Sequence, residues 1–155
     1  MRRFKMNTDA ALDVTREVMG LGWVLRDDAG QFLTACSRRV AGRYTVVEAE
    51  ALCIREATIW LRDTGMGDVD IETDSQLCYH ALNSAPFNSA LGFLIDDVKQ
   101  VASTVSGVNF SYVRRSTNRA AHALAREAVS ESGPEEWCDT PPHYLVPVLA
   151  ANLIN

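Results

Sequence analysis

The chain has 155 residues, of which 47% are hydrophobic and 23% charged, and this is the length and composition of a single globular domain. Its formal net charge of −5 argues against tight, unaided wrapping of nucleic acid, because such binding depends on neutralising phosphates with lysine and arginine. The negative charge does not exclude a nuclease, since a site that holds cations must itself concentrate acids.

Segments for export or membrane anchoring are not predicted. Arg2 and Arg3 are followed by alternating polar residues rather than by an apolar signal segment, and the late apolar run from Leu145 to Ile154 is too short to span a bilayer. The four cysteines are scattered, with no C-x-x-C pair, which favours reduced thiols. We therefore expect a nuclear or cytoplasmic protein that is not secreted and has no membrane partner.

Hydrophobic periodicity predicts a regular succession of strands and helices. Three extended runs come first and are predicted to form an antiparallel meander, with turn residues between the second and third. A long alanine- and glutamate-rich helix closed by Gly65 follows. The predicted strands are Phe4–Asp9, Leu21–Arg26, Gln31–Ser37, Asp68–Thr73 and Gly107–Arg115, and the predicted helices are Val46–Thr64, Asp74–Leu82, Ser89–Val105 and Thr117–Ser130.

The order βββ-α-β-αα-β-α predicts an α/β domain, in which helices flank a mixed five-stranded sheet. This domain is expected to span residues 1–132. Residues 133–155 contain several prolines and are expected to form an irregular C-terminal tail that packs on the same domain.

Three acids occupy places where a buried charge is costly unless it is paired or binds a metal ion. Asp9 ends the first predicted strand, and Glu50 lies on the apolar stripe of the long helix, in line with Cys53. Asp74 follows the fourth strand, where ligands gather in α/β sheets, although a helix N-cap is the alternative for this residue alone. Together the three acids predict an oxygen-ligand site suited to magnesium or manganese.

At these acids the chain resembles a known family. The resemblance rests on five motifs in the family's order: Asn7–Ala11, Gly22–Asp27, Ala49–Leu52, Glu72–Ser75 and Arg115–Ala125. The sequence is similar to type 1 ribonuclease H and, more narrowly, to the plant ribonuclease-H-like domains derived from retroelement reverse transcriptases. The resemblance implies a ribonuclease-H-like fold and a metal-dependent endonuclease that cleaves the RNA strand of RNA–DNA hybrids.

The resemblance also implies the roles of the site residues. Asp9, Glu50 and Asp74 match carboxylates that hold two divalent metal ions, Mg²⁺ or Mn²⁺, for an in-line displacement at the phosphate. His122 stands where the family has a fourth carboxylate. An imidazole brings no negative charge, so we expect His122 to be a weak or surrogate fourth catalytic group. The alternative is a helix-surface histidine without a role in the site.

Substrate contacts are expected beside this site. Four arginines lie from Arg114 to Arg126 before the first acid, Glu127. This local positive charge predicts a phosphate track, with a solvated helix surface as the alternative. With two polar residues of the resembling motifs included, the predicted nucleic-acid-binding residues are Ser75, Arg114, Arg115, Asn118 and Arg119.

Two functions stay open at this point. The first is a nuclease, expected to be a monomer, whose partner is an RNA–DNA hybrid. The second is a catalytically weak or inactive retroelement-derived domain that serves nucleic-acid or protein binding. The segment Ala81–Ser89 contains no lysine or arginine, in contrast to the basic protrusion of some bacterial members of the family. Hybrid binding is therefore expected to be weak and sensitive to salt.

Overall fold

A computed structural model describes residues 2–130 and 135–153 of the chain. Strands and helices alternate through these residues, and short 3-10 turns precede the last two helices at Arg115–Thr117 and His143–Leu145. The elements are β1 (Phe4–Asp13), β2 (Val18–Arg26), β3 (Phe32–Ala41), α1 (Val46–Thr64), β4 (Val69–Thr73), α2 (Gln76–Leu82), α3 (Ala90–Ala102), β5 (Val108–Tyr112), α4 (Arg119–Ser130), β6 (Glu135–Cys138) and α5 (Val146–Leu153).

One mixed sheet organises the described residues, with the strand order β5-β4-β1-β2-β3-β6. The first three strands form the predicted antiparallel meander. β4 pairs in parallel with β1, and β5 pairs in parallel with β4. The predicted α/β class and mixed sheet are confirmed.

The predicted number of five strands is wrong, because the structure contains a sixth strand. β6 pairs antiparallel with β3 at the edge of the sheet, from Thr34 to Ser37. Pro141 and Pro142 follow β6 rather than interrupt it, so the region is not the irregular segment that its proline content predicted. The predicted boundary at residues 132 and 133 lies outside the described residues.

β1 is longer than predicted, and this changes the place of Asp9. The strand continues to Asp13 because its second half pairs with Val18–Leu21 in a hairpin. Asp9 therefore lies in the middle of β1, opposite Gly22, instead of at the end of the strand. This central position buries the residue, which is only 3% exposed.

The helix α1 begins and ends where the sequence predicts, because both ends carry local signals. The Thr45 side chain accepts a hydrogen bond from the Glu48 amide while the Glu48 side chain accepts one from the Thr45 amide. Gly65 ends the helix in the left-handed conformation, at φ 73°. No helix in the described part of the chain, including this longest one, is long and apolar enough to cross a membrane.

Hydrophobic residues fill both faces of the sheet. Met6 and Ile71 belong to the larger cluster, which includes the buried side of α1 and part of α3. Val24 and Leu124 belong to a second cluster that joins the sheet to α4 and to the C-terminal segment. The helices α1 and α4 thus hold β1 between them, and α3 packs against α1.

The helix α4 lies unusually close to β2 because glycine faces it. A Cβ atom built at Gly22 would lie 2.6 Å from the Cβ of Leu124 and 2.7 Å from the Ala125 nitrogen, so a larger residue would push the helix away. Gly22 is the partner of Asp9 in the sheet. This close approach brings the side chains at the start of α4 to the middle of β1.

Candidate metal centre

Three separate elements bring Asp9, Glu50 and Asp74 together. Asp9 comes from the middle of β1, Glu50 from the buried side of α1, and Asp74 from the residue after β4. Each offers a carboxylate oxygen, and the three oxygens all lie within 4.8 Å of one another. The structure therefore assembles the acids that the sequence singled out.

The strand geometry explains why there is room for this cluster. The parallel pairing of β1 with β4 stops at Asn7 and Glu72, and the next residue, Thr73, pairs only with β5. Beyond this point the amide of Ala10 donates to the Glu50 carboxylate at 3.3 Å. The acids thus gather beside the end of a parallel strand, where α/β sheets commonly bind ligands.

Glu50 is strongly perturbed by this environment. Burial, a hydrogen bond and the charge of Asp9, and the charge of Asp74 together raise the pKa of Glu50 to about 11. Its Oε2 atom is buried and has no hydrogen-bond partner among residues 2–130 and 135–153. A carboxylate oxygen without a partner, in a cluster of acids, fits a divalent cation with hard oxygen ligands.

Asp74 experiences opposing influences. Burial and the charge of Asp9 raise its pKa, while a hydrogen bond from Asn118 and the charges of Arg115 and His122 act to lower it. The net result is a raised pKa. Asp74 is not the helix cap that was its alternative assignment, because Ser75 is the N-cap of α2.

The cap assignment also bears on Ser75 as a predicted nucleic-acid contact. The Ser75 hydroxyl accepts a hydrogen bond from the Cys78 amide at 3.2 Å. It is therefore engaged in holding the first turn of α2. This frees the neighbouring Asp74 carboxylate to face the cluster.

His122 lies at the edge of the acidic cluster. Its Nδ1 is 2.8 Å from Oδ2 of Asp9, and its side chain is 54% exposed while that of Asp9 is 4% exposed. The histidine therefore contacts the site instead of standing on an unrelated helix surface. Its ring nitrogen contacts one carboxylate oxygen of Asp9. In the family that the chain resembles, a fourth carboxylate stands in place of this imidazole.

Basic residues lie between β5 and α4 and on α4 itself, and the charge of Arg115 acts on Asp74. Arg114, Arg115 and Arg119 are exposed, and none of them forms an ion pair within residues 2–130 and 135–153. Arg126 lines a groove of about 450 Å³ that also contains His122. The positive charges of this surface are free to meet an anion.

Asn118 is predicted to contact nucleic acid, but the structure buries its side chain. It is fully buried, with 0% exposure. Its Nδ2 donates to the Thr8 carbonyl at 2.9 Å, and its Oδ1 accepts from the Asn7 side chain at 3.1 Å. All of this side chain is used inside the protein.

Sequence reasoning missed two members of this polar network. Asn7 is 2% exposed, and its Nδ2 donates both to Asn118 and to Glu72, the latter at 3.0 Å. The available signal was the period-two alternation of a strand, which places Asn7 on the face of Asp9 and Glu72 on the face of Asp74.

Solved structures define the class of fold. The chain is similar to RNase H1 from the halophilic archaeon Halobacterium salinarum NRC-1, with 25% identity and a TM-score of 0.75 over 84% of this chain and 99% of the other. It is similar to the N-terminal RNase H domain of a Mycobacterium tuberculosis protein, with 20% identity and a TM-score of 0.72 over 84% and 95%. LC11-RNase H1, isolated from compost, gives 20% identity and 0.72 over 83% and 97%. The fold is therefore of the ribonuclease H type.

A family model also matches the chain. The model described as "Reverse transcriptase-like" matches residues 7–128, which include all three acids and His122. The chain belongs to this reverse transcriptase-like family. No curated protein matches the chain.

Proposed function

We propose that this protein is a divalent-metal-dependent endonuclease that cleaves the RNA strand of RNA–DNA hybrids. The observation that carries the proposal is the cluster of Asp9, Glu50 and Asp74, whose carboxylate oxygens lie within 4.8 Å of one another. The similar LC11-RNase H1 has a structure in complex with an RNA/DNA hybrid, which supports the same class of substrate for this chain.

Asp9, Glu50 and Asp74 would hold Mg²⁺ or Mn²⁺, with Asp9 shared if two ions bind. When bound, such ions activate a water molecule and stabilise the leaving oxygen of the phosphodiester. Glu50 contributes to this site only after it releases its proton, because burial and Asp9 raise its pKa to about 11 without a cation. His122 adds no charge as a neutral imidazole, so a second cation would be held less tightly than the first.

The arginines would bind the substrate. Arg114, Arg115 and Arg119 are exposed, and the charge of Arg115 acts on Asp74. These three arginines would contact phosphates of the hybrid. Phosphate contacts of this kind position nucleic acid without reading its sequence. Cleavage is therefore expected to depend on the hybrid structure and on salt concentration rather than on base sequence.

A specific observation favours a second candidate, a domain that binds nucleic acid or protein with little or no catalysis. The contact of His122 with Asp9 at 2.8 Å takes up one carboxylate oxygen, and the site has one acid fewer than the resembling family. In this case the acidic cluster would be a remnant of an active ancestor. The fold alone does not distinguish the two functions.

One assay separates them. The purified protein is incubated with a labelled RNA–DNA hybrid in Mg²⁺ and in Mn²⁺, beside Asp9→Asn and Asp74→Asn. Cleavage by the parent protein that disappears in both variants supports the nuclease. Binding without cleavage at high protein concentration supports the binding domain.

The matched control is Asp63→Asn, which removes an exposed acid at the end of α1, where the side chain is 61% exposed. It should cleave as the parent does. If parent and both site variants cleave equally, the activity is a contaminant and the site assignment is wrong. The same assay on DNA duplex and on single-stranded RNA tests the restriction to hybrids.

We also propose an evolutionary origin, a cellular location and a domain extent for this protein. The resemblance to plant retroelement-derived domains and the family description support descent from a reverse transcriptase. The four free cysteines support a nuclear or cytoplasmic location, where thiols stay reduced. The pairing of β6 with β3 supports one domain that continues into residues 133–155. We expect a monomer, which size-exclusion chromatography with light scattering would test.

A further inference from the structure

Asn118 lies beside the end of the ladder between β1 and β4, close to the acidic cluster. The parallel ladder between β1 and β4 ends at Asn7 and Glu72, two residues before Asp74. No backbone pairing with β1 therefore fixes the distance between Asp74 and Asp9. Contacts made by side chains join β1 to β4 at this end of the ladder, from Asn7 and Thr8 to Glu72.

The buried amide of Asn118 adds to these contacts. Its Nδ2 donates to the Thr8 carbonyl at 2.9 Å, next to Asp9 in β1. A side-chain interaction with Asn118 also acts to lower the pKa of Asp74, which indicates that the two side chains lie close together. Its Oδ1 accepts from Asn7 at 3.1 Å. Because the Asn7 amide also donates to Glu72 at 3.0 Å, the network returns to β4 by a second route.

The backbone of Asn118 makes a further connection to the site. Its carbonyl accepts a hydrogen bond from the His122 amide at 3.1 Å and so begins the helix α4. One residue thus links the positions of Asp74, of the strand that carries Asp9, and of the turn that carries His122. With 0% exposure, it does so without any surface open to a substrate.

We infer that Asn118 is a positioning residue for the metal centre, which orients Asp74 toward Asp9 and does not bind the hybrid. This inference rests on the proposed cation site. Partners of this kind, which orient a ligand without touching the metal, typically change metal affinity by about 10–100-fold when removed.

The test is calorimetric titration of Mn²⁺ into the purified parent protein, Asn118→Ala and Asn118→Ser. Serine keeps a residue suited to a helix N-cap, so this variant is expected to fold even if alanine does not. Both variants are expected to bind Mn²⁺ about 10–100-fold more weakly than the parent. In hybrid cleavage, the Mg²⁺ concentration for half-maximal rate should rise while the KM for hybrid at saturating Mg²⁺ stays unchanged.

A matched control separates positioning from general stability. Leu149→Ala removes a side chain that is 8% exposed from the smaller hydrophobic cluster, which contains none of the three acids. This variant should lose stability, as judged by urea unfolding, and keep the parent's affinity for Mn²⁺.

The outcomes distinguish this inference from the proposed function. If the parent binds Mn²⁺ and Asn118→Ser binds it equally well, Asn118 does not position the site, although the cation site stands. If the KM for hybrid rises and Mn²⁺ affinity is unchanged, Asn118 acts through the substrate and the inference is wrong. If the parent itself binds no Mn²⁺, the proposed cation site and this inference both fall.

Discussion

The metal centre has two unlike halves. One half consists of Asp9, Glu50 and Asp74, which are held by β1, α1 and the end of β4. The other half comes from the start of α4 and supplies an imidazole, His122, and a buried amide, Asn118. The first half concentrates negative charge, whereas the second half adds none and contacts the acids through a ring nitrogen and an amide.

This difference separates the ability to bind a cation from the ability to use it. Three carboxylates, with a buried oxygen on Glu50 that has no partner in the described part of the chain, match the oxygen ligands that a divalent ion prefers. A two-metal reaction needs enough charge for a second ion, and that charge would have to come from the α4 half. The binding of the first ion and the rate of cleavage are therefore expected to depend on different residues.

The largest expected effect comes from breaking the carboxylate half. Asp9→Asn should reduce the rate of hybrid cleavage by more than about 100-fold, because a direct ligand matters more than the partners that orient it. His122→Ala should reduce the rate by less than about tenfold, since it removes no charged ligand. Single-turnover cleavage with saturating Mn²⁺ measures both. Equal losses in the two variants would contradict the division into halves.

The next effect is on stability and its dependence on pH. Because burial and the neighbouring acids raise the pKa of Glu50 to about 11, we expect the folded, metal-free protein to keep the Glu50 proton between pH 5 and pH 9. The unfolded chain releases this proton near the usual pKa of 4.5. The folded state then holds one proton more, so the free energy of unfolding should fall as pH rises, by up to about 1.4 kcal/mol per pH unit. Urea unfolding at pH 5, 7 and 9 in EDTA measures this slope.

Glu50→Gln supplies the comparison for that slope. Glutamine has nearly the same shape and does not titrate, so its slope between pH 5 and pH 9 should be smaller than the parent's. Saturating Mn²⁺ should also reduce the parent's slope, because the cation replaces the proton. Identical slopes in parent and variant would show that Glu50 is not the titrating group.

A smaller effect is expected from adding charge to the α4 half. His122→Asp should lower the Mg²⁺ concentration for half-maximal cleavage by about tenfold, which corresponds to about 1.4 kcal/mol. His80→Asp, at an exposed histidine on α2, is the matched control and should leave the Mg²⁺ requirement unchanged. If His122→Asp changes neither the rate nor the Mg²⁺ requirement, position 122 lies outside the metal site.

The smallest effect is expected from the exposed arginines near the start of α4. Arg115→Gln should weaken hybrid binding a few-fold and reduce the slope of log affinity against log salt by about 1, as loss of one phosphate contact does. Arg62→Gln removes an arginine near the far end of α1, where the side chain is 46% exposed, and should not change the slope. Fluorescence anisotropy over a salt series, without divalent metal, measures both.

The sequence predicted those parts of the fold that carry local signals. Both ends of α1 were predicted because the capping box at Thr45 and the terminal Gly65 lie within a few residues of the helix. The extension of β1 to Asp13 was missed because it depends on pairing with Val18–Leu21, across a turn without a strong signal. β6 was missed for a similar reason, since its partner β3 lies about a hundred residues earlier in the chain.

In the candidate site too, local signals were predicted and long-range contacts were missed. Glu50 was singled out because helical periodicity placed a carboxylate on an apolar stripe. Asn118 was predicted to contact the substrate, and its burial was missed. The reason is that its network with Asn7, Thr8 and Asp74 joins residues more than forty positions apart in the chain. No local pattern reports such contacts. The acids of this site could thus be predicted from the sequence, but the residues that orient them could not.

Titration of Mn²⁺ into the metal-free protein asks whether the three acids form a cation site, and it does not require activity. We expect saturable binding by the parent and by Asp63→Asn, and loss of that binding in Asp74→Asn. If the parent does not bind Mn²⁺, or if Asp74→Asn binds it with equal affinity, the three acids do not form a cation site.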